Sequence, residues 1–216
     1  MSGSPAEVVA VRLSQPVGAS GFPLERDWQR ESPVRFCHDW QGKNDDPQRQ
    51  TEVWVLWTEF VLYFRFRCHY RTIHVFPAPG PEGRRDELWD RDVVEVFLQA
   101  ERFGEKYYKE FEVSPKGQWL DLDISPRGLT HVASGMRVVV NLNEPSRVWT
   151  ADLAIPMVAL TPHFDPARSW RVNFFRCEGI EPQRFYSAWQ PTGTPAPSFH
   201  LPEKFGLLRF ADSSVL

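Results

Sequence analysis

Short runs in which apolar and polar residues alternate recur along most of this chain. Alternation sends successive side chains to opposite faces, which is typical of a β-strand with one buried face. The runs that predict strands are residues 7–13, 34–38, 51–57, 61–70, 93–98, 107–113, 118–124, 136–142, 149–155, 170–176, 185–189 and 205–210. The pattern predicts an all-β fold, an antiparallel β-sandwich of two sheets with about ten to twelve strands, immunoglobulin-like or jelly-roll-like.

The length and composition favour one domain. With 216 residues and 42% hydrophobic content, the chain can bury one core. Its 19 prolines disfavour long helices, because proline interrupts a helix. Only single helical turns are predicted, at residues 24–28 and 156–160. We expect an N-terminal extension with an edge strand (residues 1–29), the sandwich domain (30–211) and a short tail (212–216).

One predicted strand carries a carboxylate among apolar residues. Glu95 shares a face with Val93 and Phe97, and its sequence neighbours on both sides are valines. Burying a carboxylate there costs several kcal/mol unless it meets hydrogen-bond donors. The donors are either an arginine of this chain or the hydroxyls of a ligand, and the residues leave both alternatives open.

Charge patterning excludes two classes of partner. Lys+Arg 25 against Asp+Glu 28 gives a net charge of −3, with both signs interspersed. This balance argues against a nucleic-acid groove and against an anionic membrane surface. No apolar run reaches the ~18 residues of a membrane span, and no signal peptide is visible at the N-terminus. We expect a cytoplasmic monomer.

Cysteines and aspartates give little indication of a metal site. The three cysteines are odd in number and widely spaced, which predicts buried free thiols. Asp121 and Asp123 share one face of a strand and are weak candidates for a calcium site. A pair of aspartates is far short of the roughly six oxygen ligands that calcium takes, so solvent exposure is the alternative.

Two tryptophans lie beside loops rich in proline and glycine. Trp89 follows one such loop, and Trp189 precedes another. Indoles held on stiff loops can stack on the apolar face of a sugar ring while nearby polar groups bond its hydroxyls. The alternative is that both indoles pack at the edge of the core.

Catalytic motifs are absent from the sequence. There is no Gly-x-Ser-x-Gly elbow, glycine-rich phosphate loop or paired cysteine ligand set. Glu95 and Glu112 could in principle form the carboxylate pair of a glycosidase, which is the alternative function. Because no nucleophile, base and orienting group converge, we expect a protein that is not an enzyme.

Several motifs, taken together, resemble carbohydrate-binding module family 9, and in particular its stand-alone bacterial members. They run in the family's order over roughly residues 30 to 211. The motifs are Trp-Val-Leu-Trp at 54–57 with Leu-Tyr-Phe at 62–64, Trp89 with Asp-Val-Val-Glu-Val-Phe at 92–97, Tyr-Tyr-Lys-Glu-Phe-Glu-Val-Ser-Pro at 107–115, Trp-Arg-Val-Asn-Phe-Phe-Arg at 170–176 and Phe-His-Leu-Pro-Glu-Lys-Phe-Gly at 199–206.

The resemblance implies a β-sandwich that binds sugars without catalysis, in the founding members at reducing ends of plant polysaccharides. Carried over by position, Trp89 is one wall, Trp189 the second wall and Glu95 a hydroxyl acceptor. We also expect Glu112 and Arg176 to bind the ligand. Glu112 and Ser114 stand where an arginine and an asparagine are expected, so the ligand can differ.

The resemblance also extends to cofactors. The family tends to hold structural calcium, whose ligands cannot be placed here. Haem-binding sandwiches belong to the same broad fold group, which gives a further alternative with Met136 and His131 as the axial pair. No cofactor other than calcium is expected, and a carbohydrate is the expected partner.

Overall fold

The computed structural model describes residues 6–14, 17–29, 32–77, 83–100 and 106–212. Within these ranges the chain forms thirteen strands, two four-residue helices and three 3₁₀ turns, at Pro47–Arg49, Leu88–Asp90 and Pro202–Lys204. The strands and helices are β1 (Glu7–Arg12), α1 (Glu25–Trp28), β2 (Val34–Phe36), β3 (Thr51–Trp57), β4 (Val61–His69), β5 (Val93–Gln99), β6 (Tyr108–Val113), β7 (Trp119–Ser125), β8 (Gly128–His131), β9 (Arg137–Asn143), β10 (Val148–Pro156), α2 (Met157–Leu160), β11 (Trp170–Glu178), β12 (Phe185–Ala188) and β13 (Gly206–Ala211).

The strands form one curled, hydrogen-bonded sheet. Its order is β8-β7-β6-β5-β11-β13-β1-β3-β4-β10-β9, with β12 beside β11 and β2 beside β3. β1 pairs in parallel with both β13 and β3, while the other pairs are antiparallel. The prediction of an all-β fold is confirmed, whereas the sheet is mixed rather than wholly antiparallel.

The expectation of an N-terminal edge strand is wrong. Glu7 stands opposite Leu207 and Val11 opposite Leu56, so β1 has a partner on each side. Its Val8, Ala10 and Val11 are buried. The run alternates only weakly, which suggested an edge strand, but the strand fills the position that joins the two halves of the sheet. The predicted tail lies outside the described residues except for Asp212.

The main core lies between the two halves of the curled sheet. Phe64 and Phe66 of β4 meet Phe174 of β11, with ring centroids 6.0 and 5.8 Å apart. Each such side chain contributes about 1.5–3 kcal/mol by leaving water. Val94 and Val96 of β5 face the same core. The alternate residues of β5 therefore face the other way.

A second, smaller apolar cluster lies on that other face. Phe97, Phe175 and Leu122 project there from β5, β11 and β7, and Phe199 and Phe205 cover them from the C-terminal loops. Loops, rather than a second sheet layer, cover this face. The coverage leaves room for a cavity.

Strand β8 is absent from the sequence prediction. All four of its residues are exposed, so no apolar alternation marks it. Within the described ranges, no helix has the length and apolar character needed to cross a membrane.

Candidate functional site

A cavity of about 290 Å³ opens on the face of β5, β6 and β11 that is turned away from the main core. Its walls combine aromatic rings with titratable groups. The lining residues are Trp89, Asp90, Glu95, Glu110, Leu122, Leu129, Cys177, Arg184, Tyr186, Pro197, Ser198, Phe199 and His200.

Three glutamates lie together at the floor of this cavity. Strand register sets Glu95 of β5 opposite Glu112 of β6, and alternation brings Glu110 to the same face. Their exposed fractions are 2%, 0% and 3% for Glu95, Glu112 and Glu110. Glu95 and Glu110 line the cavity, whereas Glu112 is enclosed. We name these three residues the glutamate floor.

The glutamate floor lacks compensating donors. In the described part of the chain, no protein group donates a hydrogen bond to Oε2 of Glu110 or to either carboxyl oxygen of Glu112. Glu95 Oε1 accepts a weak hydrogen bond from the Cys177 thiol, 3.8 Å away. His200 Nδ1 lies 4.0 Å from Glu110 Oε2, and burial lowers the pKa of His200 so that it is largely neutral at pH 7.

Burial and mutual repulsion hold protons on these carboxyls. Burial, then the charge of Glu110, raises the pKa of Glu95 well above its ordinary value, although Arg184 opposes the shift. Burial raises the pKa of Glu110 to about 7. The pKa of Glu112 is raised by burial, then by the charges of Glu95 and Glu110, and also by a hydrogen bond that its proton donates to Glu110. The floor can therefore both accept and donate hydrogen bonds near pH 7.

The turn that carries Trp89 is fixed from two sides. Asp92 accepts hydrogen bonds from the backbone N–H groups of His74 (2.8 Å) and Gly179 (2.6 Å) at the start of β5. The Arg184 guanidinium donates to the backbone carbonyls of Trp89 and Arg91. Because the turn is held by buried groups, the half-buried indole has a defined position at the cavity wall.

Aromatic side chains from the C-terminal loops complete the walls. Phe199 stacks on Phe175 at 4.2 Å, and Tyr186 meets Phe199 edge-on at 6.2 Å. His200 Nδ1 lies 2.6 Å from the Tyr108 hydroxyl. Flat apolar walls above a floor of hydrogen-bonding carboxyls suit a small ligand with both C–H faces and polar hydrogens.

A family model described as carbohydrate-binding family 9 matches residues 81–210, more than half of the chain. The chain belongs to carbohydrate-binding family 9. The matched range contains the glutamate floor and every other lining residue of the cavity. The resemblance noted from the sequence is therefore confirmed. The family consists of non-catalytic carbohydrate-binding modules.

Solved structures share the fold. A candidate carbohydrate-binding protein of Bacteroides uniformis matches with a TM-score of 0.74 at 18% identity, covering 96% of this chain and 100% of that chain. A family 9 module of Caldicellulosiruptor kristjanssonii, in complex with cellotriose, matches with a TM-score of 0.66 at 11% identity, covering 96% and 94%. The same module with glucose gives 0.64 at 12% identity, covering 96% of each chain.

A curated relative comes from a fungus. An extracellular protein of Arthroderma benhamiae is 23% identical over 181 residues, which cover 76% of this chain and 80% of the relative. Because the identity is low, this similarity does not indicate which ligand the present family 9 member binds.

Trp189 lies in the main core of this family 9 member rather than at the cavity. Its exposed fraction is 8%, its ring centroid lies 5.5 Å from that of Phe174, and its backbone N–H donates to the Phe174 carbonyl. Gly206 makes this possible, because a Cβ there would lie 2.6 Å from the indole. The loop rich in proline begins after Trp189 and leaves the indole inside, so the prediction that it is the second wall is wrong.

Arg176 also projects into the molecule rather than to the cavity. Alternation along β11 places it on the face of Val94, and it donates to Glu178 (2.6 Å) and to the Arg49 carbonyl (2.9 Å). Its exposed fraction is 1%. Arg176 is a structural charge, and the expectation that it contacts the ligand is wrong for this reason.

The weak calcium candidates have protein partners. Asp121 is fully buried and accepts hydrogen bonds from Arg84 and from the hydroxyl and backbone N–H of Ser134. Asp123 pairs with Lys109. In the described ranges, no group of three or more His, Cys, Asp or Glu residues is arranged to hold a metal ion.

The residues named for a haem alternative have other roles. Met136 is buried in the main core, and His131 is an exposed residue beside Arg84, with its Nδ1 2.9 Å from the guanidinium. Neither residue lines the cavity that contains the glutamate floor.

Several lining residues were missed from the sequence. Glu110 could have been found, because it is two residues from Glu112 and shares its face. Arg184, Tyr186, Phe199 and His200 lie on or beside loops far along the chain from Glu95. Loop conformation brings them to the cavity, and no periodic signal marks them.

Proposed function

We propose that this protein binds a carbohydrate non-catalytically in the cavity above the glutamate floor. Trp89 provides a stacking surface, and Glu95 and Glu110 bond the sugar hydroxyls. The observation that carries the proposal is a set of buried carboxyl oxygens without protein donors at the base of an aromatic-lined cavity. Buried polar groups are rarely left unpaired, so a ligand with several hydroxyls is a fitting partner.

The chemistry of a sugar matches both parts of the site. Its hydroxyls can donate to ionised carboxylates and accept from protonated ones. Its ring C–H groups can pack on Trp89, Tyr186 or Phe199. The cavity volume of about 290 Å³ suits a ligand of one or two sugar units. Affinity in the range of roughly micromolar to millimolar is expected, because few contacts must offset the entropy of association.

Glu112 has an indirect part in this proposal. It is enclosed and does not line the cavity, but in its protonated form it can donate a hydrogen bond to Glu110. We assign it the task of holding the Glu110 carboxyl in position rather than that of contacting the sugar.

The glycosidase alternative is less well supported by the charges. A retaining glycosidase needs one protonated carboxyl and one that is ionised at working pH to act as nucleophile. All three glutamates of the floor have raised pKa values, so even Glu110, which ionises most readily with a pKa of about 7, is only partly charged at neutral pH.

Calorimetric titration with glucose, cellobiose, cellotriose and their alditols tests the proposal. The matched variants are Trp89→Ala and Trp54→Ala, because Trp54 is also half-buried but packs in a separate cluster on β3. We expect Trp89→Ala to weaken binding about fivefold or more and Trp54→Ala to leave it within twofold, since stacking on an indole contributes about 1 kcal/mol or more.

Two results would contradict the proposal. The absence of saturable binding to any of these sugars, with both variants folded by circular dichroism, would remove the function. Turnover of chromogenic glycosides by wild type, lost in Glu95→Gln, would favour the hydrolase instead.

A further inference from the structure

The cavity has an excess of acidic groups. Glu95, Glu110 and Asp90 line it, and Glu112 lies directly behind in the sheet register. Arg184 is the one lysine or arginine among the described lining residues. Because the pKa of Glu110 is about 7, this carboxyl is partly ionised at neutral pH, and a neutral sugar would leave its charge uncompensated.

One terminal nitrogen of Arg184 is committed to backbone contacts, whereas its Nε is buried and has no acceptor among the described residues. Its guanidinium donates to the carbonyls of Trp89 and Arg91 and lies over the Tyr186 ring, 5.1 Å from the centroid. It forms no ion pair with a carboxylate of the described residues within hydrogen-bond distance. A single cation, which forms no ion pair with any of them, therefore stands beside several acidic side chains.

One carboxyl oxygen of a cavity-lining residue is buried and unpaired. Glu110 lines the cavity with an exposed fraction of 3%, and its Oε2 has no protein donor in the described part of the chain. A carboxylate in that position gains most from a charged donor, because charge-assisted hydrogen bonds are about twice as strong as neutral ones.

Resting on the proposed function, we propose that the cavity selects an amino sugar whose protonated primary amine is bound at Glu110. The aromatic walls hold the sugar ring, as for a neutral sugar, and the ammonium supplies up to three donors to the floor. An N-acetylated sugar lacks the charge, and a uronic acid adds a like charge next to Glu110 and Asp90. The preference is thus set by charge and not by ring shape.

Calorimetric titration with matched sugars tests this preference. The panel is glucosamine, N-acetylglucosamine, glucose and glucuronic acid, with the galactose series in parallel and ethanolamine as a simple ammonium. At pH 7 and low salt we expect the amino sugar of one series to bind at least tenfold more tightly than its neutral counterparts. Raising the salt to 0.5 M should reduce this ratio only partly, because the floor is buried.

The variant Glu110→Gln keeps the side-chain shape and removes the charge. In this variant the affinities for the amino sugar and for the neutral sugar should differ by no more than about threefold. Lys109→Gln, a neighbouring charge change that does not line the cavity, should leave the ratio unchanged.

Each outcome decides the matter. Neutral sugars that bind as tightly as amino sugars overturn this inference and leave the proposed function standing. Ethanolamine binding as tightly as glucosamine overturns it as well, because the site would then recognise an amine alone. Tighter binding of glucuronic acid assigns the site to anions through Arg184. Binding of no sugar removes both proposals together.

Discussion

Two clusters of buried acidic groups lie on neighbouring strands of this molecule, and they differ in whether protein donors compensate them. On the face toward the main core, Glu178 receives hydrogen bonds from Arg176 (2.6 Å), from Arg49 (3.1 Å) and from the backbone N–H of Arg71 (2.9 Å). On the opposite face, the glutamate floor has no such partners among the described residues.

The difference separates a structural charge cluster from a candidate binding site. Buried charges are normally paired, since leaving one unpaired costs several kcal/mol. The Arg176–Glu178 cluster follows this rule and needs nothing from outside the protein. The glutamate floor departs from it beside a cavity, which is where perturbed groups tend to serve function.

The largest expected effect comes from breaking the paired cluster. Arg176→Met should lower the free energy of unfolding by about 3–5 kcal/mol, because Glu178 is left buried with fewer donors. For a chain of this size that corresponds to a fall in Tm of roughly 6–20 °C. Thermal unfolding followed by circular dichroism measures it, and a loss below 1 kcal/mol would show that the two clusters are not energetically different.

The second effect is on the pH dependence of stability. Because Glu110 titrates near pH 7 in the folded protein and near its ordinary value when unfolded, the folded state binds more protons between about pH 5 and 7.5. Stability should therefore fall as the pH rises through this range, by about 2–3 kcal/mol.

Other groups modify this pH profile in known directions. Asp92, whose pKa burial raises to about 6, adds to the fall. His69 and His200 have lowered pKa values, so at pH values below about 6.5 their contribution to stability increases as the pH rises. This contribution opposes the fall caused by Glu110 and Asp92. Urea unfolding at intervals of 0.5 pH units measures the sum. Stability that rises steadily from pH 5 to 8 would contradict a protonated glutamate floor.

The third effect is a stabilising substitution. Glu112→Gln removes the cost of keeping this buried carboxyl protonated and leaves an amide that can donate to Glu110, so it should raise the free energy of unfolding at pH 7.5 by about 1–2 kcal/mol. It should also flatten the pH profile. Glu178→Gln is the matched control in the paired cluster and should be destabilising at the same pH. Destabilisation by both substitutions would mean that the glutamate floor is compensated after all.

Much of the fold could be predicted from the sequence because alternation is a local signal. Glu95 was placed on the face opposite Val94 and Val96, and the structure has it there. The mixed sheet could not be predicted from the sequence. One of its parallel pairs, β1 and β13, joins residues about 200 positions apart, and β1 has no distinctive pattern of its own. Long-range pairing of that kind leaves no trace in local periodicity.

The candidate site was predicted only in part. In the structure Glu95 and Trp89 line the cavity and Glu112 lies next to it. The alternation of side chains along the strands and the turn just before β5 were enough to predict these positions. Trp189 was misplaced because the loop that follows it is rich in proline and glycine, which suggested an exposed indole. In the structure the indole packs in the core, in the space that Gly206 leaves by having no side chain. Arg184 and Phe199 depend on loop conformation, which sequence patterns do not determine.

The most direct test of the account is an amide chemical-shift titration with glucose and glucosamine on ¹⁵N-labelled protein. We predict that the largest shifts fall on residues 89–97, 108–112 and 184–200, around the glutamate floor, and that strands β3, β4, β9 and β10 stay unchanged. Saturable shifts confined to those four strands, or to the surface around the Arg176–Glu178 cluster, would contradict the assignment of the uncompensated carboxyls to a sugar-binding site.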